Sequence, residues 1–281
     1  MKSSGIIIVP QGGIANRLRA IASAYQLGID SNREVRVIWT ANSELNADPD
    51  EIIDVSNLPF EICKTGHFIY NLTYEIPRKK NFFVSSIFQF FSKKKFIFQV
   101  GSNPEYLTED EFLKLSSEGE RELVIFSGLE FYNYDASLIS KLFKITDEVE
   151  KRISEILKHK QPVLGLHIRR TDNKEAIENS PLELFEEEIK KTLIEDKGMG
   201  IFLASDDQDV KLHLSKLFPD NIIYNSAKAD RTSKAGIIDA MAEMEILSRC
   251  KKILGSFYSS FSEIAAKKGG AEFNVIKKKK L

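Results

Sequence analysis

Between residues 162 and 276 the chain keeps one rhythm: a short apolar run, a turn, a stretch of helical apolar spacing, then another apolar run. The runs at 162–168, 200–204, 221–224, 252–255 and 273–276 read as strands, and 181–194, 209–218, 237–248 and 260–268 read as helices. Strands separated by helices cannot be joined by tight hairpins. They need crossover connections, which give a parallel sheet covered by helices on both faces. This half of the chain therefore reads as a Rossmann-like α/β domain.

The first half opens the same way and then loses the pattern. Residues 5–9 are a buried parallel-type strand, the Pro10-Gln11-Gly12-Gly13 turn follows, 14–27 has helical spacing, and 33–39 returns as a strand. Glycines at the strand-to-helix turn present helix N-terminal amides to an anion or sugar, although the G-x-G-x-x-G of a dinucleotide site is absent. Residues 43–120 are mixed in polarity and read as loops and short elements. A strand at 123–126 and a short amphipathic stretch at 137–143 precede a helix capped by Thr146, with acids in its first turn. These observations divide the 281 residues into an N-terminal domain, 1–145, with an irregular 43–120, and a C-terminal domain, 146–281.

Charge and cysteine usage exclude several partners. Lys plus Arg, 40, balances Asp plus Glu, 41, so no global field favours nucleic acid. Cys63 and Cys250 are too few for a disulfide framework and lack zinc-ligand spacing, which fits two buried thiols in a reducing compartment. No secretory leader or apolar run of membrane-spanning length is legible, so a cytoplasmic location is expected, and the Asn71-Leu72-Thr73 sequon carries little weight. The stretch 82–98 sets a dense group of phenylalanines beside Lys93, Lys94 and Lys95. It reads either as an insertion whose aromatics pack on the domain or as a peripheral contact with a membrane.

In parallel α/β sheets ligands bind beyond the carboxyl ends of the strands. Four such ends carry polar residues here. After 162–166 comes His167-Ile168-Arg169-Arg170-Thr171-Asp172, where two adjacent guanidinium forks suit a diphosphate. After 200–204 comes Ser205-Asp206-Asp207, whose acids fit helix capping for one and support of the site for the other. Asp239, among apolar residues early in a helix, can accept hydrogen bonds from a guanine. Gly255-Ser256-Phe257-Tyr258-Ser259-Ser260 places small hydroxyl residues where amides cradle phosphate. Together they describe an anion pocket.

The elements Leu166–Asp172, Phe202–Asp207, Ile237-Ile238-Asp239 and Phe257–Ser260 resemble, in order and approximate spacing, the donor-site motifs of the α1,6-fucosyltransferases, including the rhizobial nodulation enzymes. The turn Gly12-Gly13-Ile14-Ala15-Asn16-Arg17-Leu18 looks like an element at the start of the first domain in these and in other fucosyltransferases. The resemblance implies a GT-B fold, with two Rossmann-like domains whose parallel sheets face a central cleft. It implies inverting, metal-independent transfer from GDP-fucose to a glycan or glycolipid acceptor, with no cofactor. It also implies roles: Arg169 on the β-phosphate, Arg170 and Asp172 shaping the loop, His167 and Asp239 on the nucleoside, and Ser259 and Ser260 on the phosphates. Asp207 would support the donor loop, and Asn16 and Arg17, in the acceptor-side first domain, would bind substrate or donor. Glu175 would be the catalytic base, with Glu178 the alternative, because the spacing after the Arg-Arg-Thr-Asp element departs from the family pattern. A GT-B transferase using another nucleotide sugar, and a non-catalytic nucleotide- or glycan-binding module, are the competing readings.

Overall fold

The computed structural model describes residues 5–64, 74, 87, 89–92, 94–100, 104–119, 121–171 and 174–278. The chain forms two compact units, Met1–Lys144 and Ile145–Leu281. Each is built on a five-stranded sheet in which every described pairing is parallel. The chain is thus an α/β protein with two Rossmann-like sheets.

In the first unit β1 (Ile6–Pro10), α1 (Ile14–Asp30) and β2 (Val35–Trp39) are followed by α2 (Pro49–Ile52), β3 (Glu61–Lys64) and β4 (Lys95–Phe98). Then come α3 (Glu109–Glu118), β5 (Leu123–Ser127) and α4 (Ser137–Leu142). The strand order is β3-β2-β1-β5-β4. Strands β1 and β5 are buried at every position, as central parallel strands covered on both faces must be.

The span 43–120 is more regular than its polarity implies. It supplies both edge strands of the sheet and the ten-residue helix α3, which Thr108 and Glu111 start with a reciprocal capping box. Phe96 and Phe98 belong to β4 and lie over Phe126 of β5, Phe98 with its ring centroid 4.7 Å away. Part of the aromatic stretch is therefore core. The sequon lies outside the described residues, as do 82–86, 88 and 93 of that stretch.

The second unit runs α5 (Asp147–Leu157), β6 (Leu164–Ile168), α6 (Lys174–Asn179), α7 (Leu182–Glu195) and β7 (Ile201–Ser205). It continues through α8 (Gln208–Leu217), β8 (Ile222–Tyr224), α9 (Lys234–Ser248), β9 (Lys252–Ser256), α10 (Ser260–Gly269) and β10 (Glu272–Ile276). Each strand and helix expected between 162 and 276 is present. The short helix α6 is an addition. The order β10-β9-β6-β7-β8 places β6 and β9 side by side. Connections leave β6 toward β7 and leave β9 toward β10, in opposite directions along the sheet, so the topological switch point lies between these two strands. Among the described residues no helix is long and apolar enough to cross a membrane.

Candidate nucleotide-binding site

The carboxyl ends of β6 and β9 are cross-tied by serines. Ser256 Oγ accepts the backbone N–H of Arg169 at 3.0 Å and donates to the carbonyl of His167 at 3.3 Å. Ser259 Oγ lies 3.1 Å from His167 Nδ1, and the imidazole stacks on Phe261 with centroids 4.8 Å apart. The turn that delivers Ser259 passes through Tyr258 at φ 57°, in the left-handed region that a bulky side chain rarely adopts. Behind it, a Cβ at Gly255 would meet Ser262 Oγ at 2.3 Å, so glycine lets α10 sit directly on β9. His167 is buried, and that burial, reinforced by the adjacent Arg169, pushes its pKa down to about 4. It is a neutral ring at physiological pH.

On the other side of β6 the carboxylate of Asp206 organises the arginine loop. It accepts the N–H of Arg170 at 2.8 Å and the hydroxyl of Thr171 at 2.7 Å, and pairs with Arg169 Nε at 3.1 Å. The neighbouring Ser205 donates to the carbonyl of Ile168 at 2.7 Å. Asp207 instead caps α8, accepting from the amides of Asp209 and Val210. The acid that holds the arginine loop is thus Asp206, while Asp207, expected to support it, caps the helix. The two acids trade places because Asp206 directly follows β7, the strand beside β6, while Asp207 is the N-cap residue.

Ser180 closes the frame from a third direction. It is fully buried, accepts the N–H of Phe257 at 2.8 Å and donates to the carbonyl of Ile276 at 2.5 Å. It thereby ties the end of α6 to the strand-end turn after β9 and to β10. Glu175 and Glu178 both stand exposed on α6, and Asn179 Nδ2 donates to Glu175 at its carbonyl, 2.9 Å, and at Oε2, 3.3 Å. Arg170 Nη1 reaches the carbonyl of Ile177 on the same helix at 3.4 Å. Ser260 is the first residue of α10. Asp172 lies outside the described residues.

Asp239 belongs to a separate cluster on α9. Arg152 Nε of α5 pairs with it at 2.5 Å, and Arg152 Nη2 donates to Asn225 Oδ1 at 3.1 Å. Beneath them the buried Lys211 donates to the carbonyl of Asn225 at 3.1 Å and meets Glu243 at 3.3 Å. Burial raises the Glu243 carboxyl to about 7 against the pull of Lys211. A cavity of about 490 Å³ opens beside this network, lined by Arg152, Asp239, Ile238 and Lys234 among others. Nothing in the sequence singles out Arg152, Lys211 or Asn225.

The glycine turn of the first unit is occupied by its own side chains. Gly12 adopts φ 82°, and a Cβ there would fall 2.7 Å from Asn16 Nδ2. Its N–H donates to Glu44 Oε2 at 3.0 Å. Arg17, expected to bind substrate or donor, is fully buried. Its Nε donates to the carbonyl of Gly12 at 2.9 Å, Nη1 to that of Thr40 at 2.8 Å and Nη2 to Asn42 Oδ1 at 3.1 Å, with the guanidinium 4.7 Å from the Trp39 ring centroid. Arg17 thus holds the turn against the chain that follows β2. Among the described residues no group of three or more His, Cys, Asp or Glu side chains is arranged to hold a metal ion.

No protein-family model and no curated protein matches the chain. Solved structures do. The chain is similar to NodZ α1,6-fucosyltransferase soaked with GDP-fucose, at 18% identity over 94% of this chain and 92% of that one, with a TM-score of 0.63. The fucosyltransferase NodZ from Bradyrhizobium also matches, at 18% identity over 93% and 92% with a TM-score of 0.61. A further match is POFUT1 in complex with GDP-fucose, at 11% identity over 98% and 99% with a TM-score of 0.58. This likeness establishes the fold, the GT-B arrangement of fucosyltransferases with its two parallel sheets.

Proposed function

We propose that the chain is an inverting glycosyltransferase that moves fucose from GDP-fucose to a hydroxyl of a glycan or glycolipid. The observation that carries the reading is Arg169. It stands at the end of β6, at the switch point of the sheet, with its backbone held by Ser256 and its guanidinium by Asp206. A fixed cation there meets the charge that grows on a diphosphate as the bond to the sugar breaks. The similarity to structures of fucosyltransferases soaked with or bound to GDP-fucose supports the choice of donor.

In this reaction the acceptor oxygen attacks the anomeric carbon from the face opposite GDP. The bond from that carbon to the β-phosphate oxygen breaks, GDP leaves with the electron pair, and the acceptor proton passes to Glu175. Asp239 accepts hydrogen bonds from the N1–H and amino group of guanine in the cavity beside Arg152. The serines after β9 hold the phosphates. No metal is required in this scheme, because a guanidinium supplies the charge stabilisation that a divalent ion supplies elsewhere.

The test is calorimetric titration with GDP, UDP and ADP, with and without EDTA, followed by turnover of GDP-fucose by the wild type and Arg169→Ala. The reading expects selective GDP binding that survives EDTA, and a turnover loss of about 10²–10³ in the variant. Preference for UDP or ADP overturns the donor, loss of binding in EDTA overturns the metal-free scheme, and GDP binding with no turnover on any acceptor favours a binding module.

A further inference from the structure

The aromatic stretch divides in two. Phe96 and Phe98 pack on Phe126, whereas Ile87, Phe90 and Phe91 are 53%, 83% and 79% exposed. The last three fall at i, i+3 and i+4, and each of them is in a helical turn, so they share one face. Phe90 and Phe91 meet edge to face with centroids 5.6 Å apart, which presents two large rings together. Large aromatics exposed in this way mark a surface that meets an apolar phase or a partner.

Charge decides between those occupants. Between Glu75 and Glu105 there is no acidic residue, and Arg78, Lys79, Lys80, Lys93, Lys94 and Lys95 flank the aromatics on both sides, although the whole chain carries a net charge of −1. Lys94 is bound to Glu122 at 2.9 Å and to Tyr74. Apolar side chains bracketed by cations match the boundary of an anionic lipid surface, where ring insertion and headgroup attraction add. A second copy of this chain would bring the same local excess of cations, and their repulsion opposes that pairing.

We propose that Ile87, Phe90 and Phe91 dock the chain on an anionic lipid surface, inserting the two rings between headgroups attracted by the lysines that flank them in the sequence. This inference does not depend on the transferase reading. Its test is co-sedimentation of the full chain with vesicles of phosphatidylcholine alone and of phosphatidylcholine mixed with phosphatidylglycerol, at low and high salt. Binding is expected only with phosphatidylglycerol, weakening with salt, and falling about tenfold in Phe90→Ser/Phe91→Ser. Lys79→Glu/Lys80→Glu should lower binding and its salt dependence together. The serine variant changes exposed side chains only, so its thermal unfolding should match the wild type, which separates lost docking from lost folding. Wild-type protein that stays in the supernatant with anionic vesicles overturns the proposal, as does undiminished binding by the serine variant. Sedimentation velocity supplies the remaining arm: a dimer that the serine variant dissolves, with no vesicle binding, assigns the rings to self-association and overturns the lipid surface.

Discussion

Oδ1 of Asp206 accepts the backbone N–H of Arg170 at 2.8 Å, so an acid from the end of β7 fixes the loop that leaves β6. The same carboxylate pairs with Arg169, and neither side chain is more than a quarter exposed, at 21% for Arg169 and 12% for Asp206. Asp206→Asn keeps the shape but turns an amide NH2 toward a donor. Folding stability should fall by about 1–3 kcal/mol in urea titrations. Turnover should fall by more than GDP affinity does, because the guanidinium remains present but loses its aim. Equal losses in both would mean that Asp206 supports binding without orienting the reacting end.

The proposed reaction needs a base on α6, which carries two exposed glutamates, and Asn179 donates to Glu175. Glu175→Gln should lower kcat by about 10²–10⁴ with the GDP dissociation constant nearly unchanged, and Glu178→Gln should leave kcat close to wild type. The reverse pattern would move the base to Glu178. Steady-state rates of both variants decide it.

Arg17 serves three acceptors and an aromatic face from inside the first unit, where burial lowers its pKa to about 10. Arg17→Met leaves those oxygens without a donor and should cost at least about 3 kcal/mol of stability. GDP affinity of the protein that remains folded should stay within about threefold, well under the 1.4 kcal/mol that corresponds to a factor of ten. Full stability with GDP binding lost would return Arg17 to the ligand.

His167 is held neutral, its pKa lowered from 6.5 to about 4. As pH falls below 6.5 the unfolded chain takes up a proton that the folded chain refuses, so this stability is present above 6.5, is lost on the way down to about 4, and changes no further below. The shift is equivalent to about 3 kcal/mol. Glu243 acts in the opposite sense, because its raised value makes its contribution present below 4.5 and lost as pH rises through about 7. His167→Asn isolates the histidine: between pH 7 and 5 its urea midpoint should fall less than that of the wild type. Parallel midpoints would mean that His167 titrates normally in the folded chain.

The second sheet was legible because strands covered on both faces are continuous apolar runs, as in Ile201-Phe202-Leu203-Ala204, each set off by turn residues. The edge strands of the first sheet were not. Glu61-Ile62-Cys63-Lys64 has a partner on one side only, is exposed at both ends, and carries no apolar run to find. Arg169 was legible from its doubled guanidinium at a strand end. Its supports were harder to read, since Asp206 and Ser256 approach from strands that become neighbours of β6 only through the order β9-β6-β7. Arg17 shows the converse. A residue in a motif looks like a ligand contact until the burial of its whole fork makes it a tie between loops.

Ser180 has a consequence for how the molecule tolerates change at a distance. Its bonds to Phe257 and Ile276 harness α6 to the last strand. Shortening the protein ahead of Glu272 would therefore delete none of the residues assigned to donor or acceptor, and would still slacken the rein on the helix that bears both glutamates. The proton removal proposed for that helix would hang partly on β10, which supplies the Ile276 carbonyl.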